Sequence, residues 1–144
     1  MPETRSTSTG PGRLLVAVYA VFALAATARS AVQLLTRAGE APLAYGLSAL
    51  AAVVYVAATL GLAEVGPRPR AVAWLACGVE MAGVLAVGTL SVVRPEWFPD
   101  ATVWSQFGQG YGYLPLLLPF VGLAWLVRTR SADPVGSAGP TDAA

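Results

Sequence analysis

The sequence predicts an all-α fold: a bundle of four transmembrane helices, with a short interfacial helix in the outer loop between helices 3 and 4. Three observations predict it. Of the 144 residues, 56% are hydrophobic and 12% are charged, whereas soluble domains carry about 25% charged residues. Several charge-poor runs are long enough to cross a bilayer as helices. Polar tails rich in small residues flank these runs at both ends of the chain.

The first apolar segment covers residues 14–36 and is interrupted by Arg29. A signal peptide is the alternative interpretation, because arginines precede the run and residues 26–28 have the A-x-A form of a cleavage site. The apolar residues continue beyond Arg29, however, and bring the run to spanning length. We therefore expect an uncleaved helix, preceded by a disordered cytoplasmic tail over residues 1–12.

Three further segments follow at residues 42–63, 71–93 and 113–127. Pro42 suits a first helical turn, where its missing N–H is no loss. The last segment is shorter than a usual span, and Pro119 is expected to kink or break it unless the helix starts late. The predicted membrane domain is residues 13–128, followed by a second disordered cytoplasmic tail over residues 129–144.

The arginines near the segment ends predict the orientation, because cytoplasmic loops carry an excess of them. With the N-terminus inside, six arginines lie on the cytoplasmic side and two on the outer side: Arg5, Arg13, Arg68, Arg70, Arg128 and Arg130 against Arg37 and Arg94. We therefore expect a multi-pass protein of the cell (plasma) membrane with both termini in the cytoplasm.

Four polar residues inside the predicted helices form a candidate intramembrane site: Arg29, Gln33, Tyr55 and Glu80. Arg29 and Gln33 are four positions apart and share a helix face. Glu80 lies about 13–14 Å from the inner end of its segment, at 1.5 Å per residue. A charged residue near the bilayer centre costs roughly 2.5–3.5 kcal/mol on insertion scales, so it is usually partnered or functional. Tyr55 reaches nearly the same depth from the second segment.

The roles of these residues are open at this point. Arg29 either extends its side chain to the outer headgroups or lines a polar pocket shared with other helices. Glu80 is a hydrogen-bonded carboxyl that fixes helix packing, a group that couples a proton or substrate, or the partner of Arg29 in an ion pair. Tyr55 is the better placed hydrogen-bond donor to it.

The outer loop is the only long connection between the predicted segments. Asp100 is placed to cap a short helix over residues 101–107, which Gly108 would end. Its aromatic residues are candidates for a lid or for interfacial anchors. They are Trp97, Trp104, Phe107 and Tyr111.

The composition argues against several function classes. A net charge of +1 gives no basic field for nucleic acid. Without histidine, and with Cys77 as the single cysteine, we expect no disulfide, no metal site and no cofactor. No nucleophile lies beside a base, so we identify no catalytic residue and expect no enzymatic activity.

Three stretches carry a resemblance: RSAVQLLTR at 29–37, APLAYGLSALAAVVY at 41–55 and FPDATVWSQFGQGYGYLPLLLP at 98–119. They resemble a group of uncharacterised small four-helix integral membrane proteins from actinobacteria, which implies the topology but no activity. The pattern E-x-x-G-x-x-x-x-G at Glu80, Gly83 and Gly88 is similar to DoxX-type membrane proteins.

Two hypotheses on function follow. The first is a non-enzymatic integral membrane protein, an envelope component or a partner of another membrane protein or of a second copy of this chain. Small residues around Glu80 favour such close helix packing. The second is a small transporter or lipophilic-ligand binder that uses Glu80, Tyr55 and Arg29. In both, the lipid bilayer is the surrounding partner.

Overall fold

The computed structural model describes residues 10–131, which form helices and turns with no strand among them. The four long helices are α1 (Pro11–Arg37), α2 (Pro42–Leu62), α3 (Pro69–Val93) and α4 (Leu114–Ser131). The first three each have a proline at the start, where the missing N–H removes no helical hydrogen bond. The predicted all-α class is confirmed for these residues.

Three helices, α1, α2 and α3, are each long and apolar enough to span a membrane. The region of α4 qualifies only together with the segment before it, because Ser105–Tyr111 and Leu114–Thr129 meet at an angle of 99°. Large aliphatic side chains point outward, among them Leu24 (74% exposed) and Leu35 (84% exposed). The described chain thus has three candidate spanning helices, or four if the bent pair is one span, and its surface is compatible with lipid contact.

Helix α3 is central in the described chain. It packs against α2 and α4, and the Ser105–Tyr111 segment covers one of its ends, whereas α1 packs mainly against α2. At the opposite end, Arg70 donates hydrogen bonds to the Thr129 hydroxyl (2.9 Å) and the Leu126 carbonyl (2.6 Å) of α4. The start of α3 therefore lies beside the end of α4, and the two helices are antiparallel.

The predicted boundaries of the tails need correction. Helix α1 begins at Pro11, so residues 11 and 12 are helical, while residues 1–9 of the predicted tail lie outside the described residues. Helix α4 continues to Ser131, beyond the predicted end at residue 128, and residues 132–144 lie outside the described residues. Pro119 lies inside α4, which continues through it.

The predicted helix over residues 101–107 is wrong. Residues 94–113, which we call the connecting loop, contain two 3₁₀ segments, Pro95–Trp97 and Ser105–Tyr111. Gln106, Phe107 and Gly108 have φ of 52°, 62° and 84°, which a right-handed helix does not contain. Asp100 caps no helix and instead accepts a hydrogen bond from the Tyr45 hydroxyl. The connecting loop is therefore folded by contacts with the helices rather than by its own helical pattern.

Candidate functional site

Glu80 lies in the middle of α3 and is fully buried. Its Oε1 accepts a hydrogen bond of 2.6 Å from the Tyr19 hydroxyl of α1. Its Oε2 has no hydrogen-bond partner among the described residues. An unpartnered buried oxygen is costly, so the donor from Tyr19 is the contact that makes this position tolerable. The predicted donor, Tyr55, lies near the same carboxyl, and Tyr19 is a further donor that was not predicted from the sequence.

Tyr55 belongs to the same buried group. Its hydroxyl lies near the Glu80 carboxyl and accepts a hydrogen bond of 3.2 Å from the Trp104 indole N–H. The Tyr19 hydroxyl also lies 3.7 Å from the Cys77 sulfur. We call these five residues, all at most 1% exposed, the buried cluster.

Glycines of α3 admit aromatic rings of the connecting loop. A Cβ atom at Gly83 would lie 2.5 Å from the Trp104 ring, and a Cβ at Gly88 would overlap the Phe107 ring. Only glycine allows rings to approach the helix backbone this closely. Trp104 is 1% exposed, so it is a packing residue inside the molecule and not a surface anchor.

Arg29 contacts the connecting loop. Its Nη1 donates a hydrogen bond to the Tyr111 hydroxyl and its Nη2 to the Ala101 carbonyl, both at 2.6 Å. No ion pair joins it to Glu80 in the described chain, so the structure does not contain that predicted alternative. A second contact holds the same loop, because Tyr45 of α2 donates to Asp100. We call Arg29, Tyr45, Asp100, Ala101 and Tyr111 the loop-end cluster.

A cavity of about 490 Å³ lies at the loop end, beside Arg29. Its wall contains hydroxyl, amide and aromatic groups and no carboxylate. It is lined by Arg29, Ser91, Pro95, Phe98, Ala101, Thr102, Ser105, Gln106, Gln109, Gly110 and Tyr111. Neither Glu80 nor Tyr55 reaches it, so the cavity and the buried cluster are separate places in the molecule.

Gln33 lines a second cavity, of about 450 Å³, whose wall also includes Arg29, Arg37 and Asp100. Gln33 is 5% exposed, and its Oε1 has no hydrogen-bond partner among the described residues. Arg29 therefore lies between two cavities, one beneath the connecting loop and one along α1.

The predicted intramembrane residues do not form one site. Glu80 and Tyr55 belong to the buried cluster, whereas Arg29 and Gln33 line the loop-end cavities. The four aromatic residues of the connecting loop do not form one group either. Trp104 and Phe107 pack on α3 and Tyr111 accepts from Arg29, while Trp97 is 45% exposed with the Arg94 guanidinium 5.5 Å from its ring centre.

Sequence reasoning missed Tyr19. A depth comparison would have included it among the candidates, because α1 and α3 both start at the end of the molecule opposite the connecting loop. Tyr19 lies about 12 Å and Glu80 about 16 Å from these starts, at 1.5 Å per residue. A tyrosine hydroxyl spans that difference without difficulty. The residue types were therefore known. What the sequence did not indicate was which side chains of different helices meet in the interior.

No group of three or more histidine, cysteine, aspartate or glutamate side chains in the described residues is arranged to hold a metal ion. No family model, curated protein or solved structure matches the chain. The two resemblances noted in the sequence therefore stay predictions.

Proposed function

We propose that this chain is a small, non-enzymatic, multi-pass membrane protein that acts as an envelope component or as a partner of another membrane protein. In this proposal four spans form a bundle and both termini lie in the cytoplasm. The connecting loop then faces outward. Support comes from the three apolar helices, the bent fourth region and the arginines near the segment ends.

The state of Glu80 is the observation that carries the proposal. An acid that couples transport needs a path by which protons or substrate reach it. Glu80 instead accepts from Tyr19 and is fully buried, and the loop-end cavity does not reach it. The polar groups inside the helices thus support packing, which favours a structural or partner role over catalysis or transport.

Labelling of introduced cysteines tests the topology. Gln109→Cys introduces a thiol on the exposed connecting loop, and Val65→Cys introduces one at the opposite end, where Val65 is 55% exposed. With a membrane-impermeant maleimide on intact cells, we expect labelling of Gln109→Cys alone. Val65→Cys should react only after the membrane is permeabilised.

The unmodified chain is the control, because Cys77 is buried and should stay unlabelled throughout. Reporter fusions at the two termini complete the test, and both should report the cytoplasm. Labelling of Val65→Cys from outside, or reporters on opposite sides, would contradict the proposed topology.

Binding of a lipophilic ligand is the second candidate function, and the loop-end cavity favours it. Its volume of about 490 Å³ lies within the range of roughly 300–1,000 Å³ that small-molecule sites occupy. In this second candidate function Arg29 lines the binding site and Glu80 does not. Glu80→Gln should therefore leave both ligand binding and proton flux in proteoliposomes unchanged. A proton flux that this variant abolishes would instead support transport through Glu80.

A further inference from the structure

We propose that the loop-end cavity binds a phosphate group, with Arg29 as its counter-ion. This inference rests on the second candidate function and names the ligand chemistry. The phosphate can belong to a lipid headgroup or to a soluble phosphate compound, and the experiment below separates these two sources.

The charge of Arg29 is not neutralised by the described residues. The ion pairs among them join Arg37 to Glu40 and Arg94 to Glu96. Arg29 donates only to two neutral oxygens, those of Tyr111 and Ala101. A guanidinium has more N–H donors than these two bonds use. An anion in the cavity would supply both the missing charge and further acceptors.

The rest of the wall suits an anion with several oxygens. The amides of Gln106 and Gln109 and the hydroxyls of Thr102 and Ser105 line the cavity, and no carboxylate repels a negative ligand there. These donors come from the loop, whereas Arg29 comes from α1. A phosphate presents acceptor oxygens in several directions, so it matches donors on different walls better than a planar carboxylate does.

The backbone at this wall is strained in a way that fits a binding site. Gln106 has φ of 52°, a left-handed conformation that is unfavourable for a residue with a side chain. Its backbone N–H donates to the buried Ser91 hydroxyl at 2.7 Å, which holds it there. Such strain concentrates at ligand and functional sites.

The second cavity extends the region around Arg29 along the last turns of α1, toward the end of this helix and the connecting loop. It shares Arg29 and continues past Val32, which is 57% exposed on the apolar surface of α1. Gln33 lies in the same wall, and its Oε1 is buried and has no hydrogen-bond partner among the described residues. Asp100 also lines this cavity, but Tyr45 already donates to it. The competition experiment below decides between a lipid and a soluble compound as the source of the phosphate.

The test uses the full chain in dodecyl maltoside, with dodecyl phosphate as the probe and the thermal unfolding midpoint as the readout. We expect a saturable rise in the midpoint. Arg29→Gln should weaken the apparent affinity about tenfold or more, as expected for lost hydrogen bonds to a charged group. Arg94→Gln is the matched control, because it removes a charge at the same end but outside the cavity wall. It should bind as the wild type does.

Tyr111→Phe separates charge from loop packing. It removes one contact of Arg29 but keeps the guanidinium, so saturable binding should persist. Equal loss of binding in Tyr111→Phe and Arg29→Gln would overturn the proposal, because loop packing would then explain both. Unchanged binding in Arg29→Gln, or equal loss in Arg94→Gln, would overturn it as well.

Competition identifies the source of the phosphate. If inorganic phosphate displaces dodecyl phosphate, the phosphate group alone is recognised and a soluble ligand suffices. If it does not, the acyl chain contributes and the ligand is a membrane lipid. A wild-type chain with no response to either probe, but with Gln109→Cys labelled from outside, would reject phosphate binding and leave the proposed non-enzymatic membrane role intact.

Discussion

The buried cluster and the loop-end cluster differ in how accessible their charged residues are. Glu80 is fully buried, and aromatic residues surround it. Arg29 is half-buried and lies in the wall of two cavities. In both places the charged group bonds to neutral oxygens of the described residues and not to an opposite charge. Glu80 accepts from the Tyr19 hydroxyl. Arg29 donates to the Tyr111 hydroxyl and the Ala101 carbonyl.

This difference teaches which charge is available for binding. A buried ion pair must repay the desolvation of two charges, and only excellent geometry repays it. Because the fold keeps Glu80 and Arg29 apart, Glu80 contributes to the packing of the helices and forms no ion pair within residues 10–131. Arg29 keeps unused donors beside a cavity. The sequence predicts two intramembrane charges, Arg29 and Glu80, and the structure gives them different surroundings.

Trp104 belongs to the connecting loop and packs in the buried cluster, so it links the two regions. Its truncation should therefore have the largest effect on the free energy of unfolding. Trp104→Ala empties the space over Gly83 and removes the indole donor to Tyr55. Truncation of a large buried aromatic residue costs about 3–5 kcal/mol. We expect a loss of this size in the free energy of unfolding, measured by SDS titration in mixed micelles.

Trp104→Phe is the control, because a ring remains over Gly83 while the N–H is lost. Its cost should be clearly smaller than that of Trp104→Ala. If the two variants were equally destabilised, the hydrogen bond to Tyr55 rather than the packing of the ring would dominate, and the link between the regions would need reinterpretation.

The second prediction concerns the buried cluster alone. Tyr19→Phe leaves Oε1 of Glu80 buried without its donor, which should lower the free energy of unfolding by about 1–3 kcal/mol. Replacing both partners removes the unsatisfied group. The double variant Tyr19→Phe with Glu80→Leu should therefore lose less free energy of unfolding than the sum of the losses in the two single variants. Strictly additive costs in the same titration would show that the hydrogen bond contributes little.

The helices could be predicted from the sequence because long apolar runs fix where spans lie. The predicted segment 14–36 differs from α1 (Pro11–Arg37) by only a few residues at the polar ends. The connecting loop could not be predicted in the same way. Asp100 and the apolar positions after it fit a capped helix locally. Contacts of Phe107 with Gly88 and of Gln106 with Ser91 impose left-handed residues instead.

The candidate site was predictable only in part for a related reason. Residue depth along a helix follows from counting, and it brought Tyr55 to the level of Glu80. Neighbour relations between helices do not follow from counting, so Tyr19 was missed. The partner of Arg29 depends on the fold of the connecting loop, which local sequence did not indicate. The residue types therefore indicated which side chains are candidates for a site. Which of these side chains lie together could be seen only in the tertiary structure.

The third prediction tests how the loop is attached to α3. Ser91→Ala removes the buried hydroxyl that accepts from the Gln106 N–H. Gln106 is exposed, so water can replace part of this bond, and we expect a loss of about 0.5–1.5 kcal/mol. Hydrogen exchange should accelerate in residues 105–111 and stay unchanged at Tyr19 and Glu80. Equal acceleration at both places would mean that the two regions open together.

The smallest effect is expected for Tyr45→Phe, at the contact between α2 and Asp100 of the connecting loop. The variant removes the donor to Asp100, but Asp100 is partly exposed and can bind water instead. The free energy of unfolding should therefore change by less than about 1 kcal/mol. The labelling rate of Gln109→Cys should nevertheless rise in the Tyr45→Phe background, because one of the contacts that hold the connecting loop is gone. An unchanged labelling rate would show that the other contacts of the loop, among them those of Arg29 and Ser91, suffice to keep it in place. A large loss of stability would instead mean that the loop end supports the whole bundle, and the contrast between a structural interior and an adaptable loop end would fail.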